Sequence, residues 1–243
     1  MKKTGDYLGS PADLDGVVSV TSQPVAGAAI GIIAVNLVYP KLPGNVANAS
    51  TFAFPVDYEV IDLAIEQLFE ADPGAVDQIV QAAKRLEARG VRTIVGACGY
   101  FANFQTQVQA AVRVPVLLSS LAQLPLIKTS LRADQRIAVL VADVNATPDK
   151  VTFVDIGSLP EFHAIRYGET TLDNGALKRA LVQKAVVAVK QDPSIGALLL
   201  ECSDFPPYAA AIQAGVGLPV FDFITLINWL HQSLCQRPYY GFI

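Results

Sequence analysis

Apolar positions along the chain follow two alternating patterns. Short aliphatic runs such as IGIIAV at Ile30–Val35 and IGALLL at Ile195–Leu200 are apolar at consecutive positions, as in a strand buried on both faces. Between such runs lie longer segments whose apolar residues recur every three or four positions, the helical spacing. Strands are predicted at Ile30–Val35, Tyr58–Ile61, Arg92–Ala97, Val114–Leu117, Arg136–Ala142, Phe162–Arg166, Ile195–Leu200 and Pro219–Phe221. Helices are predicted at Ala75–Ala88, after Asp72-Pro73-Gly74, and at Gly175–Lys190, with Asn174 as its N-cap. The first turns Val76, Ile79, Val80, Ala83 and Leu86 to one face; the second does so with Leu177, Ala180, Leu181, Ala185 and Ala188. A last helix is expected at Phe223–Leu234, and another opened by Thr147-Pro148. Strands alternating with helices define an α/β fold with parallel sheets. Residues 1–28, rich in Gly, Ser, Pro and Asp, are expected to form a surface extension.

The eight strands divide into two fours, and the second half repeats the first. At an offset of 104 residues, Cys98–Ser120 aligns without a gap on Cys202–Ile224 with seven identities in 23 positions. Cys98 meets Cys202, Phe101 meets Phe205, Gln109-Ala110 meets Gln213-Ala214, Val112 meets Val216, and Pro115-Val116 meets Pro219-Val220. A duplicated α/β unit implies two lobes related by a pseudo-two-fold axis. Each lobe brings one cysteine, at the carboxyl end of a strand, to a shared cleft. Ligands bind at that end because the next helix starts there with unpaired N–H groups.

Composition narrows the function. The chain has 243 residues, 52% hydrophobic and 16% charged, enough for a large core. A net charge of -4 and the absence of any Lys/Arg stripe argue against nucleic acid as partner. The longest apolar stretch, Val25–Val35, is closed by Asn36 and is too short to span a membrane. Met1-Lys2-Lys3-Thr4-Gly5-Asp6 leads into polar residues and not into a signal core. Three cysteines, an odd number, fit a reducing cytoplasm better than a disulfide framework. His163 and His231 show no metal-ligand spacing, so no metal is expected and both are assigned structural roles. No nucleotide-binding glycine motif occurs.

What two facing cysteines can do is specific. A thiol near a helix start tends toward thiolate. With one on each side of a bound carbon, one removes a proton and the other returns one to the opposite face, an inversion that needs no cofactor. The site must then stabilise an enediolate-like transition state, for which backbone N–H groups at the two helix starts serve. Cys235, on the last helix, is read as core.

These residues carry a family resemblance. Gly96-Ala97-Cys98 in one half and Glu201-Cys202-Ser203-Asp204 in the other resemble the aspartate/glutamate/hydantoin racemase superfamily, as do Tyr39–Val46, Val114–Ser120 and Pro219–Asp222. The resemblance implies two Rossmann-like lobes, each with a four-stranded parallel sheet flanked by helices and with the last helix crossing back to the first lobe. The boundaries are then 1–29 for the extension, 30–118 plus 222–243 for lobe 1, and 119–221 for lobe 2. It also implies cofactor-independent acid–base chemistry by Cys98 and Cys202, and a homodimer. The first motif departs from the usual Cys-Asn-Thr: here it is Cys98-Gly99-Tyr100, a flexible Gly and a large phenol. The second keeps its polar equipment in Ser203 and Asp204. The expected substrate is a small carboxylate or cyclic amide other than aspartate or glutamate: a bulkier or cyclic α-carbonyl compound, as in hydantoin-type racemases, or a dicarboxylate without an amino group.

Further substrate contacts are expected from Asn36 at the end of the first strand, and from Lys41 and Asn45 in the loop 39–55, read as a lid or gripping segment. Gly99, Tyr100, Ser119, Ser203 and Asp204 complete the candidate site. Ser119 and Asp222 also suit N-caps, Asn145 a cap beside Asp143, and Glu201 or Asp204 a proton acceptor beside Cys202. The function expected from the sequence is a cofactor-independent racemase or epimerase acting next to a carboxylate or carbonyl. The alternatives are a maleate isomerase-like or arylmalonate decarboxylase-like enzyme, and a non-catalytic binding protein.

Overall fold

The computed structural model describes residues 25–142, 151–236, 239 and 241–242. The runs that are apolar on both faces become the centres of two parallel sheets. One holds β1 (Ile30–Val35), β2 (Val56–Ile61), β3 (Thr93–Gly96) and β4 (Val116–Leu117) in the order β2-β1-β3-β4. The other holds β5 (Arg136–Val141), β6 (Val151–Asp155), β7 (Ile195–Leu200) and β8 (Val220–Phe221) in the order β6-β5-β7-β8. Every strand pairing is parallel, and the two orders are the same. The order reverses between β1 and β3 in one sheet and between β5 and β7 in the other. Loops leaving neighbouring strands diverge at such a point and open a crevice.

Eight α-helices connect and cover the sheets among the described residues: α1 (Ile65–Phe69), α2 (Val76–Ala88), α3 (Gln105–Ala111), α4 (Leu124–Ser130), α5 (His163–Tyr167), α6 (Asn174–Gln191), α7 (Ala209–Val216) and α8 (Phe223–Leu234). Amphipathic spacing decides which face each buries. Helix α2 sinks Ile79, Ala82, Ala83 and Leu86 against Ile33 and Ile94 of the first sheet. Helix α6 sinks Leu177, Leu181 and Ala185 against Ala138, Leu140 and Leu198 of the second.

The helices that follow each last strand exchange partners. After β4, Ile127 of α4 packs with Ile137, Val139 and Leu199 of the second sheet. After β8, Phe223, Leu226, Ile227 and Leu230 of α8 pack on Ile30, Ile32 and Val95 of the first. At about 1.5–3 kcal/mol for each large apolar side chain removed from water, this crossing binds the two halves firmly. Polar contacts hold the crossing points: Gln123 Nε2 donates to Asp222 O (2.8 Å), and Ser120 Oγ to Leu200 O (2.9 Å). Asp222 also caps α8, accepting from Thr225 N–H at 2.8 Å.

Two sequence expectations need correction. Phe162–Arg166 is not a strand: Pro160–Phe162 is a 3-10 turn and His163–Tyr167 is α5. Pro160 suits a helical first turn, Ala164 and Ile165 are buried beside Phe162, and Gly168 ends the helix in the left-handed region (φ 70). The β-branched segment Val151–Asp155 supplies the strand instead. The N-cap of α6 is Asp173, not Asn174, its side chain accepting from Ala176 N–H at 2.8 Å. Asp143, Asn145 and Thr147-Pro148 lie outside the described residues.

Candidate active site

Both reversal points deliver a short-chain residue and a thiol to one cleft. It is lined by Ala34 and Val35 at the end of β1, Ala97 and Cys98 after β3, Ala142 after β5, and Cys202, Ser203 and Asp204 after β7. Cys98 is extended (φ -162, ψ 138) and leads directly into the 3-10 turn Gly99–Phe104. Beneath each thiol the repeat places a phenylalanine with no exposed surface, Phe101 and Phe205. These rings anchor the two turns.

The thiols have matched surroundings. Tyr100 N–H donates to Cys98 Sγ, and Asp204 N–H donates to Cys202 Sγ, each two residues along the chain. Cys202 Sγ itself donates to Asp204 Oδ2 (3.5 Å), a contact Cys98 has no counterpart for in its own turn, where Tyr100 stands in place of the acid. Burial pushes the Cys98 thiol up; its N–H contact opposes this, and Glu201 and Asp204 add to it. Burial pushes Cys202 up as well, reinforced by Asp204, Glu201 and Cys98. Both thiols therefore rest in the protonated form at neutral pH.

Asp204 is the polar centre. It is 8% exposed, and burial raises its carboxyl above the usual range. Hydrogen bonds from the Tyr39 hydroxyl, Cys202 and Asn45 Nδ2 and the charge of Lys41 work the other way. Lys41 is held near by a bond to Leu37 O, with its ammonium 4.0 Å from the centre of the Tyr39 ring. Ser203 Oγ donates across the cleft to Ala97 O (2.9 Å), so the second cysteine's turn is pinned to the first cysteine's strand.

Of the residues singled out from sequence, the cleft is lined by Cys98, Tyr100, Lys41, Cys202, Ser203 and Asp204. Asn45 is buried behind Asp204, and its Oδ1 accepts from Ala47 N–H. Asn36 stands apart: it is exposed and donates to Asp62 Oδ1 at 2.6 Å. Ser119 is a cap, accepting from Leu121 N–H at 3.3 Å. Gly99 is not there for flexibility. A Cβ at this position would overlap the Glu201 carboxylate, which occupies the space a side chain would fill. The loop 39–55 grips the site through Tyr39, Lys41 and Asn45, while its Phe52 and Phe54 pack beside α8, Phe54 stacked on His231 at 3.6 Å. Cys235 is the C-cap of α8 and partly buried. His163 is exposed, its ring set edge-on to Tyr167.

Sequence reasoning missed Tyr39, Phe69, Arg166 and Tyr167, all of which line the cleft. Tyr39 was within reach, standing just past a strand at a reversal point. Arg166 and Tyr167 were hidden by reading their helix as a strand. Among the described residues no group of three or more His, Cys, Asp or Glu gathers as a metal site, and no helix is long and apolar enough to cross a membrane.

The arrangement has known parallels. No protein-family model matches the chain. Over 95% of its length it is 31% identical to dimethylsulfoniopropionate lyase 3 of Emiliania huxleyi (strain CCMP1516), and it spans 65% of that protein. A dimethylsulfoniopropionate lyase from Durusdinium sp. clade D is 28% identical over 88% of the chain and 77% of the relative. Among solved structures, unliganded arylmalonate decarboxylase superposes with a TM-score of 0.53 at 17% identity, covering 88% of this chain and 97% of the other. An aspartate racemase homologue from Pyrococcus horikoshii OT3 gives 0.54 at 18% identity, covering 86% and 99%. The likeness to these solved structures is one of fold: an α/β chain with two four-stranded parallel sheets flanked by helices.

Proposed function

We propose that the chain is a carbon–sulfur lyase that acts on dimethylsulfoniopropionate, removing a proton from the carbon next to the carboxylate and releasing dimethyl sulfide and acrylate. The observation that carries this reading is the Cys202 thiol bonded to Asp204 in a cleft shared with Cys98 and walled by aromatic rings. The sequence similarity to dimethylsulfoniopropionate lyases supports the choice of substrate.

The electron count is simple. Cys202, oriented by its bond to Asp204, first loses its proton to water, and the thiolate takes the proton at the α-carbon. The C–H pair becomes the C=C bond. The C–S pair leaves with sulfur, which turns from a sulfonium into a neutral sulfide. The proton returns to water from the thiol. A cationic substrate also answers the resting state of the site. The Cys98 and Cys202 thiols beside Glu201 and Asp204 resist ionisation, and a positive charge entering the cleft offsets that resistance. The Lys41 ammonium faces the carboxylate end and steadies the charge that builds there as the α-proton leaves.

Elimination needs one base, whereas inversion needs two groups on opposite faces. The test is headspace gas chromatography of dimethyl sulfide over full-length protein and substrate. Cys202→Ser is expected to lose about 10²–10⁴-fold in kcat, the usual worth of a positioned acid or base, while Cys98→Ala keeps at least about a tenth of it. The second thiol carries a second reading, the racemase or epimerase. It prevails if no dimethyl sulfide forms and chiral α-substituted carboxylates exchange their α-proton with heavy water only when both thiols are intact.

A further inference from the structure

The geometry points to an onium-binding wall in the cleft: we infer that Phe69 and Tyr100, with Glu66 at the rim, take the cationic end of a β-onium carboxylate, so that quaternary ammonium analogues bind as well as sulfonium ones. The choice of ligand rests on the elimination reading. The wall itself rests on three observations. Phe69 and Tyr100 both line the cleft, and their rings meet edge to face with centroids 5.6 Å apart at 70°. Such a pair leaves a ring face, rich in π density, for a cation. Short helix α1 brings Glu66 to the same cleft as Phe69, placing a negative charge beside the rings. Away from α1, Lys41 also lines the cleft, so the lining carries charge of both signs as a zwitterion requires. Tyr39 shows the same chemistry within the chain, its ring already carrying the Lys41 ammonium.

Tyr100 occupies this wall because of a packing constraint. With the Glu201 carboxylate filling the space above Gly99, the turn has no side chain at that position. The next residue is the first that can reach the cleft.

The discriminating pair of ligands is 3-(trimethylammonio)propionate and its uncharged isostere 4,4-dimethylpentanoate, which share shape and carboxylate and differ by one positive charge. Trimethylamine is a poorer leaving group than dimethyl sulfide, so the cation serves as a stable ligand. Isothermal titration of full-length protein is expected to show the cation bound at least about tenfold more tightly than the isostere. Phe69→Leu and Tyr100→Leu are each expected to cut that ratio by about 2–5-fold, and the pair together by more, in the range measured for cation–π contacts. Glu66→Gln, at an exposed position that packing does not constrain, is expected to lower it without affecting binding of the isostere. Equal affinity for the two ligands, no binding of the cation, or a ratio unmoved by the ring variants overturns the inference. Dimethyl sulfide release with a ratio of one would leave the elimination reading standing and remove the wall. A strong cation preference without dimethyl sulfide release would do the reverse.

Discussion

At the scale of single residues, the site depends on how burial is set against local donors. Each cysteine sulfur accepts one backbone N–H, but burial and the two carboxylates outweigh that support and hold both thiols protonated. The consequence is a pH profile. A base that is a thiolate in only a small fraction of molecules gains about tenfold in that fraction per pH unit until the thiol pKa is reached. Because both thiols are raised, the proposed elimination predicts a kcat/KM for dimethylsulfoniopropionate that climbs through pH 7 and beyond 9 without levelling off. Steady-state rates in buffers of constant ionic strength check this, and a plateau near neutrality would contradict it. Cys98 and Cys202 could be picked out from sequence because a repeated position needs a repeated reason. The Cys202–Asp204 contact was also legible, as two residues in one turn. The Asn45 bond to Asp204 was not, since 159 residues separate the partners.

At the scale of elements, the short 3-10 turn Gly99–Phe104 shows how one missing side chain sets a site. Glu201 is 6% exposed and its carboxylate lies against Gly99 from the opposite half of the chain. Gly99→Ala is therefore expected to destabilise the protein by about 1–3 kcal/mol, the usual cost of overpacking, and to displace Tyr100. Adding Glu201→Ala should restore most of the stability, since residues in contact do not contribute independently. Thermal unfolding of the two single variants and the double variant measures that coupling; strictly additive losses would mean the two positions do not share space. The sequence suggested flexibility at Gly99 because nothing local reveals a partner arriving from residue 201. Helix α5 is the converse case. Its five residues are too few for periodicity to separate a helix from a strand, and the Pro160 turn and the left-handed Gly168 decide the matter.

At the scale of the whole molecule, the exchange of α4 and α8 between sheets makes the cleft a property of both halves at once. Ile227 on α8 has no exposed surface and belongs to the core that β1 and β3 form with Ile30, Ile32 and Val95. Ile227→Ala is expected to cost about 2–5 kcal/mol. Hydrogen exchange followed by mass spectrometry should show β1 and β3 losing protection before β5 and β7, although residue 227 follows the second sheet in sequence. Equal loss in all four strands would mean that the sheets unfold only as a unit.

The sequence by itself determined the class of fold, the duplication and the pair of thiols. Those follow from local periodicity and from matching residues at a fixed offset, which require no knowledge of where distant segments meet. Seven of the eight strands and the long helices α2, α6 and α8 lie where the pattern put them, because buried parallel strands and amphipathic helices carry their signal within the element. Only the tertiary structure decided which polar residues reach the cleft. It set Asn36 outside and Asn45 behind Asp204, gave Gly99 its neighbour, and brought Phe69, Arg166 and Tyr167 to the wall. The reason is physical: the cleft forms where the strand orders of two sheets reverse, and each residue there answers to a partner from another part of the chain.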